Sequence, residues 1–271
     1  MQSGWWLKNF KKSVDEVQQA LSEANTPMCD VSLFRTFLFA NKRRFGTKED
    51  GGYVVAMIDG TYDCYISAGV SNEESFSRDF INTFGMTKDN AFAFDGTIND
   101  YPYNYTQNIT FIRKNINSYN DEGNTDLYDL INRHNDVFLK MDIEGGEYPW
   151  LLANDYDTMK KLKQIVIECH AIVDATGSGT LNDIGHIGYD LKNKCFAKLA
   201  ETHYLVHVHG NNHGPRKNGI PYTIELTYVN KKCFVNPPDL NNVPLPLAGI
   251  DYPNASDKPD YILDFQPFTW N

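Results

Sequence analysis

Short apolar runs alternate with amphipathic segments through the middle of the chain, and this alternation predicts an α/β fold built around a parallel sheet. Five runs have the length and apolar character of strands that are buried on both faces. In chain order they are residues 62–67, 91–94, 109–112, 137–141 and 164–170. We therefore expect five parallel strands connected by helices.

Apolar residues that recur every three or four positions predict the connecting helices. The best-defined stripe consists of Phe76, Phe80, Ile81 and Phe84, and Gly85 is a typical residue at a helix end. Two further helices are predicted over residues 125–134 and 189–201.

Two more strands are predicted after the last of these helices, over residues 204–209 and 222–229. No helical pattern separates them, so they are expected to be antiparallel to each other. The intervening segment 210–221 is interpreted as an irregular loop, too long for a tight hairpin. The resulting sheet is mostly parallel and ends in an antiparallel pair.

The two ends of the chain differ from this central pattern. Val14, Val17 and Leu21, and then a second apolar stripe at residues 33–38, keep helical spacing, so residues 1–42 are predicted to form an N-terminal helical cap. Residues 43–233 form the expected main domain. Residues 234–271 are rich in Pro, Asn and Asp, and they are predicted to pack on that domain in extended form.

Composition narrows the class of protein. The chain has 271 residues, a net charge of −10 and a pI near 5.1, which argues against a nucleic-acid partner. It lacks an apolar run long enough to span a membrane and an N-terminal secretory signal. Its five cysteines form no C-x-x-C pair, which predicts reduced thiols in a cytoplasmic protein. A homo-oligomer is compatible with the sequence.

Two carboxylates, Asp142 and Glu144, directly follow the predicted strand 137–141. They are two residues apart, so both project from the same face if the strand continues through them. Gly145 and Gly146 then allow a sharp turn. Because ligands of open α/β sheets bind beyond the carboxyl ends of the strands, we expect these acids to form the floor of an active site. The alternative is that they only cap the next helix.

The segment 62–95 predicts a strand, a glycine turn, a helix that starts with the capping box 71–74, and a second strand that ends in Asp95. A pyrophosphate cofactor requires the longer G-x-G-x-x-G pattern, whereas this turn contains only Gly69. A carboxylate such as Asp95 can accept hydrogen bonds from both hydroxyls of a ribose. A ribose without a pyrophosphate favours S-adenosylmethionine over NAD as the cofactor.

Residues 140–147, K-M-D-I-E-G-G-E, resemble the K-x-D-x-E-G-x-E signature of the FkbM-type S-adenosylmethionine-dependent methyltransferases. Further similar motifs occur in the order of that family. They are D-G-G-Y-V-V at 50–55, A-F-D-G-T at 93–97, I-E-C-H at 167–170, H-V-H-G-N-N at 207–212, and D-Y-P-N at 251–254 with P-D at 259–260. The resemblance covers roughly residues 43–264. The turn at Gly69 contains fewer glycines than many cofactor loops of the family.

The resemblance implies a class I methyltransferase fold with a Rossmann-like sheet, and O-methylation of a sugar hydroxyl in a nucleotide-sugar, surface glycan or polysaccharide. By the same analogy, Gly69, Ser71 and Asp95 would line the cofactor, and Gly52 and Tyr53 would close over it.

A sugar hydroxyl is a weak nucleophile, so a base or a metal ion must withdraw its proton. One hypothesis makes His170 or His209 the base and gives Asp142 and Glu144 supporting catalytic roles. The other places Mg²⁺ or Mn²⁺ between Asp142, Glu168 and His170, because hard oxygen ligands with one imidazole suit such ions.

Four histidines follow one another closely in the last part of the predicted sheet: His203, His207, His209 and His213. Zinc binding is one interpretation, but hydrogen-bonded histidines lining a polar cleft are more common. We therefore expect His209, Asn211 and Asn212 to face the sugar, since imidazoles and amides hydrogen-bond to hydroxyls. An NAD-dependent sugar-modifying enzyme and a non-catalytic scaffold remain the alternatives.

Overall fold

The computed structural model describes residues 27–174 and 187–270. The predicted helix with Val14, Val17 and Leu21 lies outside the described residues. The second apolar stripe of the predicted cap lies inside them but does not form an α-helix. It contains a short 3₁₀ helix, Val31–Phe34, and then an extended stretch in which Thr36 bridges Leu205.

The described residues contain eleven strands and five α-helices. The strands are β1 Lys42–Phe45, β2 Tyr53–Ala56, β3 Cys64–Ala68, β4 Ala91–Phe94, β5 Thr110–Ile112, β6 Asn115–Ile116, β7 Asn124–Thr125, β8 Val137–Met141, β9 Leu162–Cys169, β10 His203–Lys217 and β11 Ile220–Asn230. The helices are α1 Ser75–Phe84, α2 Tyr128–Asn132, α3 Glu147–Ala153, α4 Tyr156–Lys161 and α5 Tyr189–Thr202. A second 3₁₀ helix is Lys231–Cys233. None of the helices among these residues is long and apolar enough to cross a membrane.

Seven strands form one mixed sheet in the order β10-β11-β9-β8-β3-β4-β5. Strands β5, β4, β3, β8 and β9 are parallel, and β11 pairs antiparallel with both β9 and β10. This confirms the prediction of an α/β protein with a mainly parallel sheet and an antiparallel last pair. The architecture is compatible with a Rossmann-like fold.

The sheet is buried on both faces, which explains why its central strands are apolar throughout. In β8 all five residues are buried, and neighbouring side chains enter opposite cores. Phe138 packs against Phe80 of α1 with ring centroids 4.1 Å apart. Leu139 belongs to the core on the other face, with Trp150 of α3 and Phe196 of α5. The strand ends are thereby held between two packed layers.

Helix α1 has the predicted stripe and ends as expected at Gly85, which is left-handed at φ 66°. The helix predicted over residues 125–134 is shorter, because only Tyr128–Asn132 is helical. Leu127 directly before it has φ 62°, a left-handed conformation that cannot continue a right-handed helix.

The prediction of an irregular loop over residues 210–221 was wrong. Strands β10 and β11 continue through it and join at a two-residue turn, Asn218 and Gly219, with φ 54° and 77°. Asn-Gly is a common sequence for such a turn, because both positions require positive φ. The two strands therefore form a long hairpin with an irregularity between Asn211 and Arg216.

The segment after the second 3₁₀ helix, residues 234–270, is called the C-terminal segment below. Its described residues form isolated bridges, such as Phe37 with Leu240 and Leu245 with Leu263, rather than a helix or a long strand. Asn212 of β10 anchors it, since its amide nitrogen donates to the carbonyls of Ala255, Lys258 and Pro259.

Candidate functional site

A cavity of about 550 Å³ lies at the carboxyl ends of β3, β4 and β8. This volume is in the usual range for pockets that bind small molecules. Five of the predicted site residues line it: Gly69, Ser71, Asp95, Asp142 and Glu144. The expectation that the ends of these strands converge on one hollow therefore agrees with the structure.

Gly69 allows close contact between the turns that follow β3 and β8, which both line the cavity. It has φ 81°, and a Cβ built on it would overlap the carbonyl oxygen of Asp142. Its amide donates to Phe94 at 3.0 Å, and the amide of Asp142 donates to Ala68 at 3.0 Å. A larger residue would push apart the turns that follow β3 and β8.

Asp95 organises the adjacent wall through both carboxylate oxygens. Oδ2 accepts from the amides of Val70 and Ser71 at 3.1 and 2.9 Å, and Oδ1 accepts from the amide and hydroxyl of Thr97 at 2.7 and 2.6 Å. Partial burial alone would raise the pKa of Asp95, but these hydrogen bonds outweigh it and lower the pKa. The Asp95 carboxylate thus lines the cavity and holds the turns at residues 70–71 and 95–97 in place.

Asp142 and Glu144 reach the cavity by a different route from the one predicted. The strand ends at Met141, and Glu144 has φ 56°, so the two side chains do not share a strand face. Asp142 Oδ2 accepts a hydrogen bond from the Tyr53 hydroxyl at 3.0 Å. The Glu144 side chain is 80% exposed. Gly146 occupies the N-cap of α3, and no side chain among the described residues caps it there.

Tyr53 lies behind Asp142 instead of closing over the cavity. It is 1% exposed, and its hydroxyl is also 3.4 Å from Glu168 Oε2. Burial and then the nearby acids, Asp142 first, raise its pKa, so the phenol keeps its proton and donates. Gly52 lies against Thr47 and the Arg44 guanidinium, where a Cβ would not fit. From this loop, Asp50 and Gly51 are the residues that line the cavity.

Glu168 and His170 lie at the end of β9, next to Asp142. Burial and then the charge of Asp142 raise the pKa of Glu168 to about 8. His170 Nε2 is 3.4 Å from both Glu168 Oε1 and Glu144 Oε2, and Nδ1 is 3.7 Å from Glu147 Oε1. Burial alone would lower the pKa of His170, but Glu147 and Glu168 outweigh it and raise the pKa to about 11. The raised pKa favours the doubly protonated ring, a form that cannot accept a proton from a substrate.

His209, the other predicted base, lies outside the lining of the cavity. Its Nδ1 is 3.0 Å from Glu225 Oε2, and its Nε2 is 3.1 Å from Asp260 of the C-terminal segment. Burial alone would lower its pKa, but Glu225 and Asp260 outweigh it and raise the pKa to about 10. Both ring nitrogens are therefore used in connecting the C-terminal segment to the sheet.

Asn211 and Asn212 also lie outside the lining. Asn211 Nδ2 is 3.2 Å from Glu168 Oε1 and 3.5 Å from Asp50 Oδ1, so it links two acids behind the cavity. Asn212 is 1% exposed and holds the C-terminal segment, as described above. The structure thus brings neither amide to the position expected for a residue that binds the sugar.

Two groups of potential metal ligands occur among the described residues. One is Asp142, Glu168 and His170, and the other is Asp50, Glu168 and Glu225; within each group the ligand atoms lie within 4.8 Å of one another. The first is the predicted metal triad. The second was not predicted, and Asn211 and Asn254 donate to its carboxylates. The clustered histidines of β10 belong to neither group.

Lys140 is a site residue that sequence reasoning did not single out. It is 6% exposed, lines the cavity and donates from Nζ to the Gly69 carbonyl at 2.7 Å. Its ammonium lies 5.6 Å from the centre of the Tyr53 ring, within cation–π range. The signal was a lysine inside an otherwise apolar central strand, V-F-L-K-M.

Comparison with models of protein families gives no match for this chain, and comparison with curated proteins finds none that is significantly similar.

Proposed function

We propose that the protein is an S-adenosylmethionine-dependent O-methyltransferase that acts on a sugar hydroxyl. The observation that carries this proposal is the single cavity in which the Gly69 turn, Asp95 and Asp142 meet at adjacent strand ends. A cofactor that lies between Gly69 and Asp95 would direct its methyl group toward Asp142.

The charges around the cavity favour this cofactor over a dinucleotide. Five carboxylates and two lysines line it: Asp50, Glu73, Asp95, Asp142 and Glu144, with Lys114 and Lys140. A surplus of negative charge attracts the sulfonium of S-adenosylmethionine and repels a pyrophosphate. The Gly69 turn also lacks the further glycines that a pyrophosphate requires.

The order of the strands in the sheet also favours a methyltransferase over a dinucleotide-binding enzyme. The dinucleotide-binding order is 3-2-1-4-5-6 in parallel strands. Here the last strand, β11, inserts antiparallel between β9 and β10. A terminal antiparallel pair is the arrangement expected for a class I methyltransferase.

Lys140 provides a positive group next to the Gly69 carbonyl. We infer that it attracts the carboxylate of the cofactor's methionine moiety. The sulfonium would then lie farther along the cavity, toward Asp142 and Glu144.

The reaction is an in-line displacement, for which the reacting atoms must be aligned near contact. A lone pair of the sugar oxygen forms the new C–O bond, and the S–CH₃ bond breaks with its electrons going to sulfur, which leaves neutral S-adenosylhomocysteine. The hydroxyl proton passes to the carboxylate of Asp142 and from there to solvent. Asp142 holds the acceptor oxygen in line.

The direct test is incubation with labelled S-adenosylmethionine and a panel of nucleotide-sugars and glycans. A gain of one methyl mass on an acceptor and formation of S-adenosylhomocysteine are the expected results. Calorimetry with S-adenosylhomocysteine and with NAD separates the alternatives. Binding of NAD alone would favour the sugar-modifying dehydrogenase, and binding of neither would favour the scaffold.

A further inference from the structure

His170 is a buried side chain whose hydrogen-bonding capacity is not satisfied. It is 6% exposed, and its Nδ1 has no hydrogen-bond partner among the described residues. Its Nε2 points toward Glu144 and Glu168, at 3.4 Å from each. Buried polar groups are normally hydrogen-bonded, and contacts of 3.4 Å to two acids are long for this ring, so the Nε2 side of His170 is a candidate ligand-binding position.

The acids around this ring are already close to the spacing of a coordination sphere. A ligand atom of His170 and oxygens of Asp142 and Glu168 lie within 4.8 Å of one another. Ligands at about 2.1 Å from one ion lie about 3 Å apart when adjacent and about 4 Å apart when opposite. Shifts of about 1 Å or less would therefore complete the arrangement.

The charge balance favours a cation at the same point. Asp142, Glu144, Glu147 and Glu168 surround the ring, and within the part of the chain that the structure describes no lysine or arginine forms an ion pair with any of them. A protonated His170 offsets at most one of these carboxylates, whereas a divalent cation bound in place of that proton would offset two.

We propose that Asp142, Glu168 and His170 bind one divalent cation of the Mg²⁺ or Mn²⁺ class. Two carboxylates and one imidazole suit Mn²⁺ well, since carboxylates favour Mg²⁺ and Mn²⁺ while imidazole favours transition metals. Of the three ligands, Asp142 lines the cavity, so an ion held here would lie on the Asp142 side of the space where the acceptor would bind. On the proposed function, the ion lowers the pKa of the sugar hydroxyl and so assists loss of its proton.

Two neighbours act as positioning residues for these ligands. Glu147 is 0% exposed and faces His170 Nδ1 at 3.7 Å, and it has one unpaired oxygen. A carboxylate on the far ring nitrogen orients a metal-binding histidine. The Tyr53 hydroxyl contacts both Asp142 and Glu168, at 3.0 and 3.4 Å, and keeps the two carboxylates facing each other.

The test begins with the chelator-treated full chain and Mn²⁺ alone, because binding requires neither cofactor nor sugar. Loss of the electron paramagnetic resonance signal of free Mn²⁺ should show one ion bound per chain. Absence of binding at millimolar Mn²⁺ would overturn the proposal.

Variants locate the bound ion. His170→Gln and Asp142→Asn should weaken Mn²⁺ binding by at least about tenfold, and Glu147→Ala should weaken it by about tenfold with partial recovery in Glu147→Gln. Asp136→Asn is the matched control, since Asp136 pairs with Lys232 far from this site in the sheet. Equal binding by the His170 variant and the control would overturn the assignment of these ligands.

Turnover separates this inference from the proposed function. If chelation abolishes methyl transfer and Mn²⁺ restores it, both stand. If chelated protein transfers the methyl group at the full rate, the catalytic role of the cation fails and the methyltransferase stands. If Mn²⁺ binds but no S-adenosylhomocysteine is bound or formed, the cation site stands and the methyltransferase fails.

Discussion

His170 directly follows β9 and His209 lies in β10, with β11 between these two strands. Both histidines face carboxylates, but their surroundings differ. His209 has a hydrogen bond at each ring nitrogen, to Glu225 and to Asp260. His170 has an unpaired Nδ1, and its Nε2 contacts acids at 3.4 Å. A histidine with both nitrogens occupied holds the structure together, whereas one with open nitrogens beside a cavity is available to a ligand.

The strongest test of this difference compares Asp142, an acid near His170, with Asp260, an acid that contacts His209. Asp142→Asn should reduce methyl transfer by about 10²–10⁴-fold, because it removes the charge that receives or polarises the acceptor proton. Asp260→Asn, beside His209, should leave the rate per folded molecule nearly unchanged. Initial rates with labelled cofactor measure both. Equal losses of rate in the two variants would mean that the surroundings of His170 and His209 do not differ in their importance for catalysis.

The free energy of unfolding should instead depend more on His209 than on His170. His209→Ala leaves the buried Glu225 and the partly buried Asp260 without their imidazole partner, so the free energy of unfolding should fall by about 3–5 kcal/mol. His170→Ala loses longer contacts, and Glu168, with its pKa about 8, can hold a proton instead. A loss of about 1–2 kcal/mol is expected there. Urea unfolding at neutral pH measures both values, and a larger loss for the His170 variant would reverse the comparison.

The pH dependence of stability sharpens the assignment of His209. Folding raises the pKa of His209 from the ordinary 6.5 of histidine to about 10. A raised pKa contributes stability that is complete below about pH 6.5 and is lost as pH rises toward 10. The stability difference between the native chain and His209→Ala should therefore shrink over that interval. Titration of His170 occurs in both proteins and cancels, and a difference that is constant with pH would contradict the raised pKa.

Asn212 gives the smallest expected effect. Asn212→Ala removes hydrogen bonds to the carbonyls of the C-terminal segment, and it should cost about 0.5–1.5 kcal/mol of unfolding free energy. The KM for the acceptor should not change, because Asn212 lies outside the lining of the cavity. An increase in KM of about tenfold or more would instead restore the role that the sequence predicted for it.

Local patterns were enough to predict most of the fold. β4 covers the predicted residues 91–94, and the stripe of α1 follows directly from its apolar spacing. Gly69, Asp95 and Asp142 could be expected to meet, because parallel strands bring their carboxyl ends to one edge.

Contacts distant in sequence could not be predicted in this way. Asp260 is 51 residues from His209, and no local pattern signals that the two will pair. The same holds for Asn212, whose partners lie in a segment without regular structure. The left-handed Leu127 interrupts a helical pattern that its apolar spacing otherwise supports. By contrast, the hairpin turn at Asn218 and Gly219 was signalled by its sequence, but the polar residues around it obscured the strands.

The two edges of the seven-stranded sheet affect how copies of this protein can associate. Edge strands with open backbone groups invite pairing with another chain. Along β10, the Phe37 amide donates to the Leu205 carbonyl, which covers part of that edge with the chain's own residues. At the opposite edge, β5 has only three residues. Copies of this protein that associate would therefore do so through side-chain surfaces, and merging their sheets into a continuous one is disfavoured.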